Sequence, residues 1–138
     1  MKAPLLFAVP AAIAVLAGCS MAARSADMYR DDTQAVLATK NDAIRTCYDG
    51  VLKTTPGAQG SVAITFDVQT QDGKIVNVAV DQSGTTAPAP VAACVTQSLS
   101  GLALTPPDQR KGQGRWTYQF TAPATPASPA AVTAPTKS

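Results

Sequence analysis

The chain contains no histidine and no glutamate; all nine of its acidic residues are aspartate. General acid–base chemistry recruits His, or Glu and Asp in shielded pairs. The raw material for an enzyme is therefore sparse, and no nucleophile–base–orienter set can be assembled. Metal binding is short of donors too: without histidine, Cys47 and Cys94 fall below the four ligands of a structural zinc site. A C-x-x-C pair, the spacing that thiol–disulfide catalysts use, is absent. The eleven Lys and Arg residues are scattered, with no basic cluster to suggest nucleic acid. "KGQGR" (111–115) neither follows a strand nor opens a helix, so it is no phosphate loop. These absences point away from catalysis, cofactors, metals, nucleic acid and small-molecule substrates, and toward a module that binds other proteins.

The one long apolar run lies at the start. Lys2 precedes "LLFAVPAAIAVLAG", which has the basic n-region and apolar h-region of a signal peptide over residues 1–18. It is short of the roughly 20 residues that span a bilayer, and Pro4 and Pro10 suit a permanent membrane helix poorly. Leu16-Ala17-Gly18-Cys19 resembles the bacterial lipobox. That resemblance implies a lipid thioether on Cys19, cleavage before it and acylation of the new amino terminus. Ser20 in place of Asp favours the outer membrane. With Cys19 taken by lipid, Cys47 and Cys94 are left in an oxidising compartment, where a disulfide can persist.

Residues 19–32, "CSMAARSADMYRDD", show no convincing period and read as a tether. Residues 122–138 are Ala, Pro, Thr and Ser with little to bury, and read as a disordered tail. Between them, 33–121 read as one domain. Leu37, Ile44, Cys47, Tyr48, Val51 and Leu52 make one helical stripe, with Asp32 or Thr33 as N-cap and "TTPGAQG" as terminator. Val62, Ile64, Phe66 and Val68 alternate with polar or small residues as a strand. Asp72-Gly73 signals a hairpin turn, and Val76, Val78 and Val80 supply the apolar face of the return strand. A second helix carries Val91, Cys94, Val95, Ser98, Leu99 and Leu102 on one stripe. "RWTYQFT" (115–121) is a third strand whose Trp116, Tyr118 and Phe120 cover the core. The order α-β-β-α-β predicts an α+β two-layer sandwich: a three-stranded antiparallel sheet with two helices on one face. Asp67 and Asp81 belong to a solvated strand face, and Asp72 to its turn.

These elements together resemble the AgmX/PglI C-terminal domain, a bacterial envelope family related in layout to the TonB C-terminal domain. The resemblance covers about 40–121. It rests on Cys47-Tyr48, on the hairpin glycines and apolar residues Gly60, Val62, Phe66, Val68, Gly73 and Val76, and on Cys94-Val95. "LALTPPDQ" stands where the family has F-P-x-P before the last strand. The resemblance implies a Cys47–Cys94 disulfide and envelope-protein partners in gliding-motility or energy-transduction machinery. It also implies that a partner's extended segment joins the last strand, at Arg115, Thr117, Gln119 and Thr121. The competing expectation is a structural envelope lipoprotein with no strand-capture role. Mass spectrometry of the mature protein is expected to find an acylated Cys19 at its amino terminus; an unmodified terminus at a later residue would refute the lipobox reading.

Overall fold

The computed structural model describes residues 23–124; Cys19 and the tail from 125 onward lie outside the described residues. Three helices and three strands follow in the order α1 (Ala26–Ala38), α2 (Asn41–Thr54), β1 (Gly60–Val68), β2 (Ile75–Val80), a 3-10 turn at Gln82–Gly84, α3 (Ala89–Ser98) and β3 (Gly112–Phe120). The architecture is the expected α+β one: a three-stranded antiparallel sheet, in the order β2-β1-β3, with helices packed on its apolar face.

Three helical expectations change. The expected tether ends early, because residues 26–32 belong to α1, capped by Ser25 Oγ accepting from the Met28 N–H. Tyr29, Thr33, Val36 and Leu37 turn inward from α1, a stripe disguised by the polar Thr33 at its centre. Thr33 satisfies its own hydroxyl by donating 2.6 Å to the Tyr29 carbonyl, which is how it tolerates burial. Asp32 and Thr33 are thus interior to a helix rather than caps. The expected first helix is two helices, parted where the Thr39 and Lys40 N–H groups fold back onto the Val36 and Leu37 carbonyls. Leu37, Ile44 and Tyr48 still reach one core. α3 is shorter than its stripe: Leu99 caps it, Gly101 takes a φ of 78°, and Leu102 is buried from the following loop.

In β1, Val62, Ile64, Phe66 and Val68 are all buried, as their alternation requires. The hairpin turns at Asp72-Gly73: Gly73 has a φ of 68°, and Asp72 Oδ1 accepts from the Lys74 N–H at 3.1 Å. β2 departs from simple alternation. Thr65 pairs with Ala79 but Asp67 with Val76, so one residue of β1 faces two of β2, with Asn77 at a φ of 54°. This bulge reverses the parity of the strand. Ile75, opposite buried Val68, joins Val78 and Val80 on the core side, while Val76 sits opposite Asp67 on the other face.

Cys47 on α2 and Cys94 on α3 are joined by a disulfide with Cα atoms 5.6 Å apart. It ties the two helices across the sheet's apolar face. In the chain-entropy model, closing a loop of about 48 residues is worth about 4 kcal/mol. Cys47→Ser and Cys94→Ser are each expected to lower unfolding free energy by that amount. The double variant should lose no more than either single one, as denaturant titration will read, because one bond is shared. Additive losses would show two independent core thiols.

Candidate functional site

With three strands in the order β2-β1-β3, the sheet has two edges, and they differ. β2 is blunted by its bulge and by the loop after α3: the Ile75 N–H donates to the Leu102 carbonyl at 2.8 Å, and Lys74 bridges Ala103. β3 is regular for nine residues, each paired with β1 from Gly60↔Phe120 to Val68↔Gly112.

The ladder fixes which groups of β3 are free. Ser61 and Ala63 point their carbonyls toward the β2 side, where the Thr86 and Asp81 N–H groups donate to them at 2.9 and 2.8 Å. Val62 and Ile64 therefore bond the other way, to Tyr118 and Trp116 opposite them. The N–H and C=O groups of Arg115, Thr117 and Gln119 consequently point away from β1. Their side chains lie on the exposed sheet face, while Trp116, Tyr118 and Phe120 join the core cluster from the other. Three of the four residues assigned to the edge thus share one register; Thr121 lies one residue past the end of β3.

Asp81 holds Arg115 at 2.6 Å, and Asp67 lies 3.8 Å from Lys111 while accepting from Asn77 and Gln113. The Ser83 hydroxyl and N–H, with Arg115, keep the Asp81 carboxyl below its ordinary pKa; Asn77 and Gln113 do the same for Asp67. Burial pushes the Tyr118 hydroxyl up to about 12, and it has no hydrogen-bond partner among the described residues. Among the described residues no group of three or more Cys, His, Asp or Glu is placed to hold a metal, and no helix is long and apolar enough to cross a membrane.

Beside the amino-terminal half of β3 runs a groove of about 450 Å³, with α1 as its opposite wall. Gly112 and Gly114 form part of its floor because no other residue fits. A Cβ at Gly112 would strike the Tyr29 hydroxyl, and one at Gly114 the Phe66 ring. Its deep end is an ion pair that periodicity had no means to reveal. Asp108 and Arg24, 84 positions apart, are 1% and 4% exposed. Asp108 accepts from the Arg24 N–H at 3.0 Å and from the Arg110 N–H at 2.9 Å, with the Arg24 guanidinium 3.7 Å away. Arg24 Nε also donates to Asp32 at 2.6 Å, and Arg110 reaches the Arg24 carbonyl. Burial raises the Asp108 pKa, but the two N–H donors and two guanidiniums outweigh it, so the carboxyl stays below its ordinary value.

No protein-family model matches the chain, and no curated protein matches it in sequence. Among solved structures it is similar to the C-terminal domain of TonB from Helicobacter pylori, with a TM-score of 0.54 and 11% identity, covering 70% of this chain and 83% of that one. That likeness establishes a TonB C-terminal-like fold.

Removing the Asp108 charge leaves the buried Arg24 guanidinium with the half-exposed Asp32 as its remaining carboxylate partner. Asp108→Asn is therefore expected to cost about 3 kcal/mol in denaturant titration. Because its folded pKa lies below the unfolded one, the Asp108 contribution is complete above about pH 5 and is lost as pH falls through the folded value. Asp108→Asn should accordingly show a shallower loss of stability on acidification than wild type; parallel acid limbs would refute the assignment.

Proposed function

We propose that this chain is a lipid-anchored binding module of the bacterial cell envelope that captures an extended segment of an envelope protein on the free edge of β3. The observation that carries the reading is the contrast between the edges: β2 is bulged and covered, while β3 presents the outward backbone groups of Arg115, Thr117 and Gln119 in a regular strand. Unpaired strand edges are either blunted or receive a partner strand. The TonB C-terminal-like fold and the disulfide are in keeping with an envelope domain. Nothing assembled at the edge resembles a catalytic constellation, so binding is the activity we assign.

Anchoring is through lipid on Cys19, with the outer membrane as its address, and three acyl chains exceed the two signals that stable attachment takes. Arg24 is buried against Asp108, so only five residue steps separate the anchor from the folded domain. Their reach is at most about 18 Å, less than half that of a tether extending to Asp32. The module is a receiver held close to one membrane, and it does not shuttle across the periplasm. Its partner presents an extended segment near that membrane.

Thr117→Pro tests edge pairing directly. Proline deletes an outward N–H that a guest strand requires, and leaves Trp116, Tyr118 and Phe120 on the core side. Crosslinking in the native envelope is expected to lose the wild-type partner with Thr117→Pro and keep it with Gln119→Ala, which spares the backbone. Thermal melts of both variants should stay close to wild type. A folded Thr117→Pro that retains every partner would exclude capture at β3 and favour a structural lipoprotein.

A further inference from the structure

We infer that the segment captured by β3 is an alternating acidic–apolar strand, its apolar side chains entering the groove under α1 and its carboxylates meeting Lys111 and Arg115. This rests on the edge-pairing reading above and adds the chemistry of the partner. A strand added to β3 inherits its alternation: residues beside Gly112, Gly114 and Trp116 project to the α1 side, and those beside Gln113 and Arg115 to the open sheet face.

The α1 side is apolar at the point of entry. Phe66, Trp116, the Tyr29 ring and Ala26 line the groove, with the Tyr29 and Phe66 side chains closed onto the two glycines. From Lys111, one residue before β3, to Phe120 the chain itself presents charge of one sign on the open face, with Asp67 and Asp81 standing beside it. Lys111 and Arg115 are its charged residues there, with the neutral Gln113, Thr117 and Gln119 between and beyond them. Across the groove stands Arg30, exposed on α1. The one carboxylate lining the groove among the described residues, Asp108, is buried and committed to Arg24 and Arg110.

The cations already touch aspartates, and those contacts leave them able to bind. Arg30 meets Asp27 and Asp31 at 3.4 and 3.6 Å, with all three side chains exposed, and such pairs contribute little. Asp81 engages Arg115 through one nitrogen, and a guanidinium carries five N–H donors. Opposite charges directly across two strands attract, while like charges repel. A guest with carboxylates beside Arg115 and Lys111 is favoured on both counts over a basic one.

The test uses the mature chain and two fluorescein-labelled octapeptides, one alternating aspartate with valine and phenylalanine, the other with lysine in place of each aspartate. Anisotropy titration should show the acidic peptide binding about tenfold tighter, two charge contacts being changed from attraction to repulsion. Added salt should narrow that difference. Lys111→Glu should erase the preference by setting one contact against the other, Ala26→Phe should weaken the acidic peptide by filling the groove, and Thr117→Pro should abolish both. Equal affinity for the two peptides, with Thr117→Pro still abolishing both, overturns the charge inference and leaves edge capture standing. Failure of wild type to bind either peptide overturns the inference, while envelope crosslinking continues to judge edge capture by itself. A concentration-dependent dimer in ultracentrifugation that excludes the peptide assigns the groove to a second copy, and overturns it equally.

Discussion

One face of β1 sets the terms for the whole molecule. Val62, Ile64, Phe66 and Val68 are buried on a strand bonded on both sides, so any chain that forms this strand must also supply a cover for it. α2 and α3 supply most of it through Ile44, Tyr48, Val91, Val95 and Leu99. Covering one side of a three-stranded sheet leaves two edges, because only closure into a barrel removes them. The bulge at Asn77 and the loop at Leu102 deal with one of these. The other, β3, is left straight, and the functional reading follows from that difference more than from any single side chain.

The groove beside β3 depends on a second constraint, the burial of Arg24 against Asp108. A buried pair of charges is costly to desolvate and adds little net stability over an apolar replacement. What it does here is fix position. It joins the chain before α1 to the loop before β3, so that α1 stands opposite Gly112 and Gly114 at a set spacing. Arg24 satisfies Asp32 and Asp108 together, and Arg110 closes the loop onto the Arg24 carbonyl. One guanidinium nitrogen of Arg24, Nη1, has no hydrogen-bond partner among the described residues, although Asp108 lies 3.7 Å from it.

Legibility of the fold in the sequence followed the physics of each element. Alternation in β1 and β3 and the Asp72-Gly73 turn were plain, because apolar side chains at period two have one reading and the glycine takes a φ of 68°. The helical pairing of Cys47 with Cys94 came through a family resemblance and is present in the structure. Missing were the features where a polar residue does an apolar residue's job or one extra residue changes the phase. Thr33 hid the stripe of α1 by satisfying its hydroxyl on Tyr29, and the bulge at Asn77 moved Val76 off the core face and put Ile75 on it. At the candidate site, Arg115, Thr117 and Gln119 were legible as one face of a strand. Arg24 and Asp108 were not, since 84 positions separate them and neither belongs to a periodic pattern.

An open strand nine residues long is also a hazard, since it invites pairing with any exposed strand, including its own copy. The charges on β3 and on the residue just before it bear on this. Lys111 and Arg115 carry the same sign, and the residues that share their face, Gln113, Thr117 and Gln119, are neutral. Any self-pairing of two such strands can set positive against positive or positive against neutral, never positive against negative. Charge of one sign therefore discourages the copy, and under the proposed edge pairing the same two side chains would select a guest of the other sign. Rigidity completes the argument. β3 is held by its full ladder with β1, and Phe120 packs at 4.8 Å on Tyr48, whose hydroxyl donates to the Ala58 carbonyl. The strand is ordered without a guest, so in the proposed pairing the entropic cost of forming the new ladder would fall on the guest alone.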